Sequence, residues 1–212
     1  MGCSNLIDSQ ILFLYILNSR LTNFVFEPCG NLVIYMAVLQ TIRNFLGSTQ
    51  IEEPEVIVPA PPTTYKIRTL TRDHLQEVLR LNLRCFRNGE NYTKHTFAYL
   101  FNAPNALSYR AVTPLDETVG FVFVMMNNNG SGHLTTIGVA PEHRRRRIGE
   151  MLLAHAEDAL KKREANTVVL EVRVSNTGAQ EMYRGFGYTV VQRIENYYTN
   201  SEACYLMMKS LV

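Results

Sequence analysis

The sequence predicts a mixed α+β domain, and three observations carry that expectation. Short β-rich runs alternate with segments of helical period after residue 64. A polar, glycine-containing turn, Asn127–Gly132, separates two of those runs as in a hairpin. Later, one strand–helix–strand unit replaces the hairpin pattern, so the sheet is expected to be mostly antiparallel with one crossover.

Taken in order, Tyr65–Leu70 reads as a first strand. Thr71 is placed to cap a helix reaching Phe86, with Leu75, Val78, Leu79, Leu83 and Phe86 on one face and Asn82 interrupting it. A loop, Arg87–Tyr92, leads to a short helix over Lys94–Phe101. Strands follow at Leu107–Val112, Thr118–Met126 and His133–Val139. A long helix over Arg146–Arg163 has Ile148, Leu152, Ala156 and Leu160 at four-residue spacing. Val168–Val174 is a strand, Thr177–Arg184 a helix, and Tyr188–Arg193 and Ala203–Lys209 the closing strands.

The chain has 212 residues, 46% of them hydrophobic, enough for one ordinary domain with an appendage. The proline-rich stretch over 52–63 divides the chain into an extension over 1–51 and a domain over 64–212. A formal net charge of +2 announces neither a nucleic-acid nor a membrane partner. Cys3, Cys29, Cys85 and Cys204 are scattered, and the five histidines lack ligand spacing, so no metal and no disulfide framework is expected. A reducing, cytoplasmic setting follows. The apolar run Ile11–Leu17 is shorter than the roughly 20 residues that span a bilayer, and no basic residue precedes it as in a signal peptide. Met1-Gly2-Cys3-Ser4 departs from the myristoylation pattern at Leu6. Residues 1–35 are low in charge and end before Met36, an alternative start.

Arg144-Arg145-Arg146-Arg147 opens the long helix. Cations at a helix N-terminus oppose its dipole by about 0.3–1 kcal/mol each. A bound polyanion would reverse that sign, because free amides and guanidinium groups would converge on it. Taken alone, the turn fits an anionic cofactor, a solvated basic cap or a nucleic-acid patch. In the next strand Val168, Leu170, Val172 and Val174 share one face, leaving Glu171 and Arg173 on the other. A mid-strand acid is out of place in a plain core, so Glu171 is either a base or one half of an ion pair with Arg173.

The run Val139–Leu153 resembles the acetyl-CoA signature of the GNAT acetyltransferases: Gln or Arg, two residues, Gly, one residue, then Gly or Ala. Arg144 holds the first position and Gly149 the last, while Arg147 stands where the family usually has glycine. The turn is expected to work if residue 147 keeps helical dihedrals. Leu170-Glu171-Val172-Arg173-Val174-Ser175-Asn176, then Ala179, Tyr183 and Phe186-Gly187-Tyr188, resemble the subgroup that acetylates protein N-termini, which includes bacterial RimI enzymes and archaeal relatives of the NatA catalytic subunit. Glu90-Asn91-Tyr92 and Glu195-Asn196-Tyr197-Tyr198 fit the same subgroup.

The resemblance implies a GNAT fold and an acetyl-CoA-dependent enzyme transferring acetyl to an α-amine of a protein, including a ribosomal protein as one acceptor. A lysine or small-amine acetyltransferase and a non-enzymatic module binding CoA or nucleic acid are the alternatives. The amides of Arg145–Gly149, with Arg144, Arg145, Arg146, Arg147 and Ile148, would hold the pyrophosphate. Ile137 and Val139 would border the pantetheine arm, with Asn176 capping a helix beside it. Glu171 would be the base and Tyr183 the acid. Glu90, Tyr92, Tyr197 and Tyr198 would line the acceptor slot.

Overall fold

The computed structural model describes residues 57–86 and 91–212. The chain divides into two units, Met1–Glu55 and Val56–Val212, and only the second contains described residues. The readings above for residues 1–51, including the Met36 start and the myristoylation pattern, lie outside them, as does Glu90.

Seven strands form one sheet: β1 (Lys66–Thr69), β2 (Ala106–Val112), β3 (Thr118–Met126), β4 (Ser131–Val139), β5 (Thr167–Arg173), β6 (Thr189–Ile194) and β7 (Cys204–Ser210). Their spatial order is β1-β2-β3-β4-β5-β7-β6. Every neighbouring pair is antiparallel except β4 with β5. That parallel pair needs a crossover, which α3 (Ile148–Lys161) supplies. The other helices are α1 (Leu75–Cys85), α2 (Lys94–Asn102) and α4 (Thr177–Gly185).

The four-residue repeat expected of the long helix is present. Ile148, Leu152, Ala156 and Leu160 are all buried, with Leu153 beside them. Such burial contributes about 1.5–3 kcal/mol per large aliphatic side chain. On the sheet, β3 supplies Phe121, Val122, Phe123 and Val124, all inaccessible to solvent. A strand buried on both faces reads as this kind of continuous apolar run. Lys209 Nζ on β7 lies 2.5 Å from the buried Glu157 carboxylate on α3, fastening the crossover helix to the sheet.

Two expected elements are corrected. The first helix does not run unbroken from Thr71 to Phe86. A 3-10 turn, Arg72–His74, precedes α1, and the Thr71 amide donates to His74 Nδ1 at 3.2 Å. Its buried face is Leu75, Val78, Leu81 and Asn82, whereas Leu83 is 58% exposed. Asn82 belongs to that face because its amide donates to Asn91 Oδ1 and to the Tyr92 carbonyl, both at 3.3 Å, satisfying a buried polar group. The long helix starts at Ile148 rather than Arg146, because Arg145 and Arg147 hold left-handed backbone angles.

Gly132 on β4 faces the side chain of Leu160 on α3 so closely that a Cβ there would lie 2.7 Å from Leu160 Cδ1. Gly132→Ala is therefore expected to lower unfolding stability by about 1–3 kcal/mol in chemical denaturation, the usual cost of overpacking a filled core. An unchanged midpoint would show that Leu160 moves aside freely.

Candidate active site

β4 and β5 share hydrogen-bonded register only at Ser131↔Thr167, Gly132↔Val168 and His133↔Val169. Beyond that point β4 continues to Val139 and β5 to Arg173 without pairing to each other. A bulge accompanies the divergence. Phe123 pairs with Thr136 and Val124 with Leu134, so Thr135 is the extra residue in β4. Its carbonyl accepts a hydrogen bond from Tyr92 Oη at 3.1 Å.

The wedge between the strands opens a cleft of about 1120 Å³, lined along one side by Leu134–Val139 and at its mouth by the arginine turn and α4. It exceeds the roughly 300–1,000 Å³ of typical small-molecule pockets. Ile137 and Val139, Asn176, Glu171, Tyr183, Tyr92, Tyr197 and Tyr198 all line it. The structure therefore brings the sequence-derived residues of both halves into one cavity.

The arginines divide into two groups. Arg144 folds back on the sheet, donating from Nε to the Val139 carbonyl at 3.3 Å and from Nη2 to the Cys85 carbonyl at 3.2 Å. Arg146 turns away from the cleft. It donates to the Pro61 carbonyl at 2.8 Å, to Tyr65 Oη at 2.9 Å and to the Ala60 carbonyl. The Tyr65 hydroxyl, accepting from Arg146, is then the donor to His143 Nδ1 at 2.9 Å. Burial lowers the pKa of that imidazole, which keeps it neutral. Arg145 and Arg147 are exposed at the cleft mouth. Arg147 Nε reaches Glu150 Oε2 at 2.8 Å.

Arg147 does not keep helical dihedrals, contrary to expectation. It has φ 63° and ψ 14°, and Arg145 has φ 62°. Left-handed geometry costs a residue with a Cβ about 1–2 kcal/mol. The position usual for glycine thus keeps the glycine conformation here while carrying a guanidinium. Gly149 meets its own requirement, since a Cβ there would sit 3.0 Å from Met182 Sδ on α4. Asn176 caps α4 as expected, its Oδ1 accepting from the Ala179 amide at 3.2 Å.

Glu171 is not paired with Arg173. Its Oε2 lies 2.7 Å from His133 Nε2, at the last residue of β4 that pairs with β5. Both side chains are partly exposed, at 23% and 31%. Arg173 instead meets Glu202 at 2.7 Å. Sequence reasoning did not single out His133. It lies 38 positions from Glu171, and only the parallel register of β4 and β5 joins them. Tyr183 is almost fully buried, packs against Tyr188 at 5.7 Å between ring centroids, and has its phenol pKa pushed up by burial.

The donors fit a nucleotide-bearing thioester. An unpaired strand edge can bond an amide-rich arm, and helix α3 presents its free amides at the mouth. The GNAT acetyltransferase family model matches residues 75–188, and the chain belongs to that family. It is an N-acetyltransferase whose acetyl donor is acetyl-CoA.

Among relatives, the N-alpha-acetyltransferase of Sulfurisphaera tokodaii is 30% identical over 163 residues, covering 69% of this chain and 93% of that protein. The NAA10 catalytic subunit of the N-terminal acetyltransferase A complex of Arabidopsis thaliana is 32% identical, covering 68% and 77%. The crystal structure of the ribosomal-protein-S18-alanine N-acetyltransferase of Escherichia coli superposes with a TM-score of 0.64 at 25% identity, covering 70% and 94%. Among the described residues no helix is long and apolar enough to cross a membrane.

Arg147→Gly is expected to raise the stability of the ligand-free protein by about 1 kcal/mol, through relief of the left-handed strain. The same change should weaken CoA binding and flatten its salt dependence. Denaturation without ligand and calorimetric titration with CoA check the two halves. A less stable variant would contradict the strain assignment.

Proposed function

We propose that the protein transfers acetyl from acetyl-CoA to the α-amine of a protein or peptide chain by direct attack of that amine. The observation that carries this reading is the 2.7 Å His133–Glu171 pair at the fork of β4 and β5, in a cleft shared with Tyr92, Tyr197 and Tyr198. An α-ammonium has a pKa near about 8 and a lysine near about 10.4, so the α-amine is easier to deprotonate at neutral pH by about 3 kcal/mol. A carboxylate held by an imidazole is sufficient base for the first. The names of the Sulfurisphaera and Arabidopsis relatives support the same acceptor class. The terminus of a ribosomal protein is one acceptor within it, as the name of the Escherichia coli enzyme indicates for that enzyme. We place the activity in the cytoplasm, where the thiols of Cys85 and Cys204 would stay reduced.

Acetyl-CoA, when bound, supplies the acetyl group as a thioester. The amides of Arg145–Gly149 would hold its pyrophosphate, with the Arg144, Arg145 and Arg147 side chains adding charge. Arg146 contributes its amide, because its guanidinium is committed to Ala60, Pro61 and Tyr65. Ile137 and Val139 would border the pantetheine arm, with Asn176 beside it at the start of α4. Glu171 accepts the proton of the incoming ammonium, directly or through water, and His133 fixes the carboxylate. The nitrogen would lose its second proton as the amide forms, restoring the Tyr183 hydroxyl, whose own proton would go to the departing sulfur. Burial raises the Tyr183 pKa, so this proton remains in place across neutral and mildly alkaline pH.

Purified full-length protein is expected to acetylate a short lysine-containing peptide at its free α-amine, and mass spectrometry of the product locates the group. Acetylation that continues at lysine when the α-amine is blocked would contradict the acceptor class. Tyr183→Phe should lower kcat by about 10²-fold, within the range for one general acid. Unchanged turnover would remove Tyr183 from that role. Glu171→Gln should depress the rate most at low pH and least above the α-amine pKa of about 8, where the amine is already free. An equal loss at every pH would assign Glu171 to positioning alone.

A further inference from the structure

The segment over 195–203 joins β6 to β7 and carries Tyr197 and Tyr198 into the cleft. No regular element holds it, and two of its residues, Asn196 and Ser201, have φ of 53° and 63°. Such backbone angles persist only where the surroundings fix them. The loop's own backbone closes the turn about Ser201, the Tyr198 amide donating to the Glu202 carbonyl at 3.1 Å and the Ser201 amide to the Tyr198 carbonyl at 2.8 Å. Three contacts that tie the loop to β5 converge on Arg173. Arg173, at the end of β5, donates from Nη1 to Glu202 Oε2 at 2.7 Å and to Asn200 Oδ1 at 3.2 Å. Its guanidinium carbon lies 3.6 Å from the centroid of the Tyr198 ring. Glu202 in turn accepts the Ser175 amide at 3.0 Å through its other oxygen, tying the loop to the β5–α4 connection. Tyr197 stands edge-on to Tyr198, with ring centroids 5.0 Å apart.

We propose that Arg173 is a positioning residue that latches the 195–203 loop onto β5, so that the Tyr197–Tyr198 wall of the acceptor slot is formed before the acceptor arrives. The proposal deepens the reading of an α-amine acceptor and rests on it. A planar guanidinium suits the task because one face stacks on the ring while its edge engages a carboxylate and an amide oxygen together. The latch is charge-balanced, so Arg173 adds little net field beside Glu171. It also holds in acid. The Glu202 pKa is lowered to about 2, first by the hydrogen bonds from Ser175 and then by Arg173, so its carboxylate stays charged where an ordinary glutamate would protonate. Because the Arg173 side chain engages Tyr198, Asn200 and Glu202 of the loop, opening the latch should change acceptor affinity far more than donor affinity. Preformed loops gain affinity by removing an ordering cost at binding.

The protein contains no tryptophan, so Tyr197→Trp places a single reporter on the loop. In that background Arg173→Met is expected to shift the emission to the red and raise iodide quenching about twofold, as a packed ring becomes solvated. In the otherwise native protein Arg173→Met should raise the peptide KM about tenfold, with the acetyl-CoA dissociation constant changed less than twofold. Arg173→Lys, which keeps the charge but not the stacked plane, should fall between. Glu202→Gln opens the same latch from the other side and serves if Arg173→Met does not fold. An unmoved reporter would overturn the latch, as would a moved reporter with an unchanged peptide KM. A native protein that acetylates no free α-amine peptide would refute the acceptor reading instead, and the reporter would still judge the latch.

Discussion

Strands β4 and β5 leave each other after three paired residues, and the rest of the site depends on that parting. A strand edge turned inward without a partner leaves amide and carbonyl groups that cost about 1–3 kcal/mol each if buried unsatisfied. The fold keeps the edge open to a cleft, so the groups are available to a ligand rather than sealed in the core. The bulge at Thr135 bends β4 at the fork, and the Tyr92 hydroxyl occupies the carbonyl that the bulge exposes. His133 is the last paired residue, and the Glu171 carboxylate reaches it across the fork. The same divergence that opens the cleft therefore brings the His133–Glu171 pair together at its apex.

The arginine turn sets backbone strain against charge. Arg145 and Arg147 carry side chains in conformations that glycine adopts freely. Each adds a guanidinium beside the free amides of α3, where no basic residue would be placed on dipole grounds alone. Arg144 and Arg146 hold the turn, one to β4 and α1, the other to the segment before β1. Four consecutive like charges thus separate into two that build the site and two that face its opening. The Tyr197–Tyr198 side of the cleft is organised differently, with one cation, Arg173, tying a turn between β6 and β7 to the sheet.

Much of this was legible in the sequence, for identifiable reasons. The β3 run and the four-residue repeat of α3 are local patterns that burial enforces, and both appear where the periodicity put them. Asn176 was legible as a cap because capping is also local. The α1 face was misjudged at Leu83 because Asn82, polar and apparently out of place, is buried to hold the loop bearing Tyr92. Arg147 was misjudged because helical charge patterns do not report φ. His133 was missed because its partner comes from another strand, and the carboxylate that Arg173 meets comes from a loop 29 positions away. Pairings set by sheet register have no trace in neighbouring residues.

Amide hydrogen exchange with and without acetyl-CoA tests the central claim most directly, because it reads the unpaired edge residue by residue. The account predicts new protection at the amides of the 135–139 segment of β4 that point away from β3 and at the 145–149 turn, with β1 and β2 unchanged. Binding that leaves those amides unprotected, or protects a different face of the sheet, would contradict it.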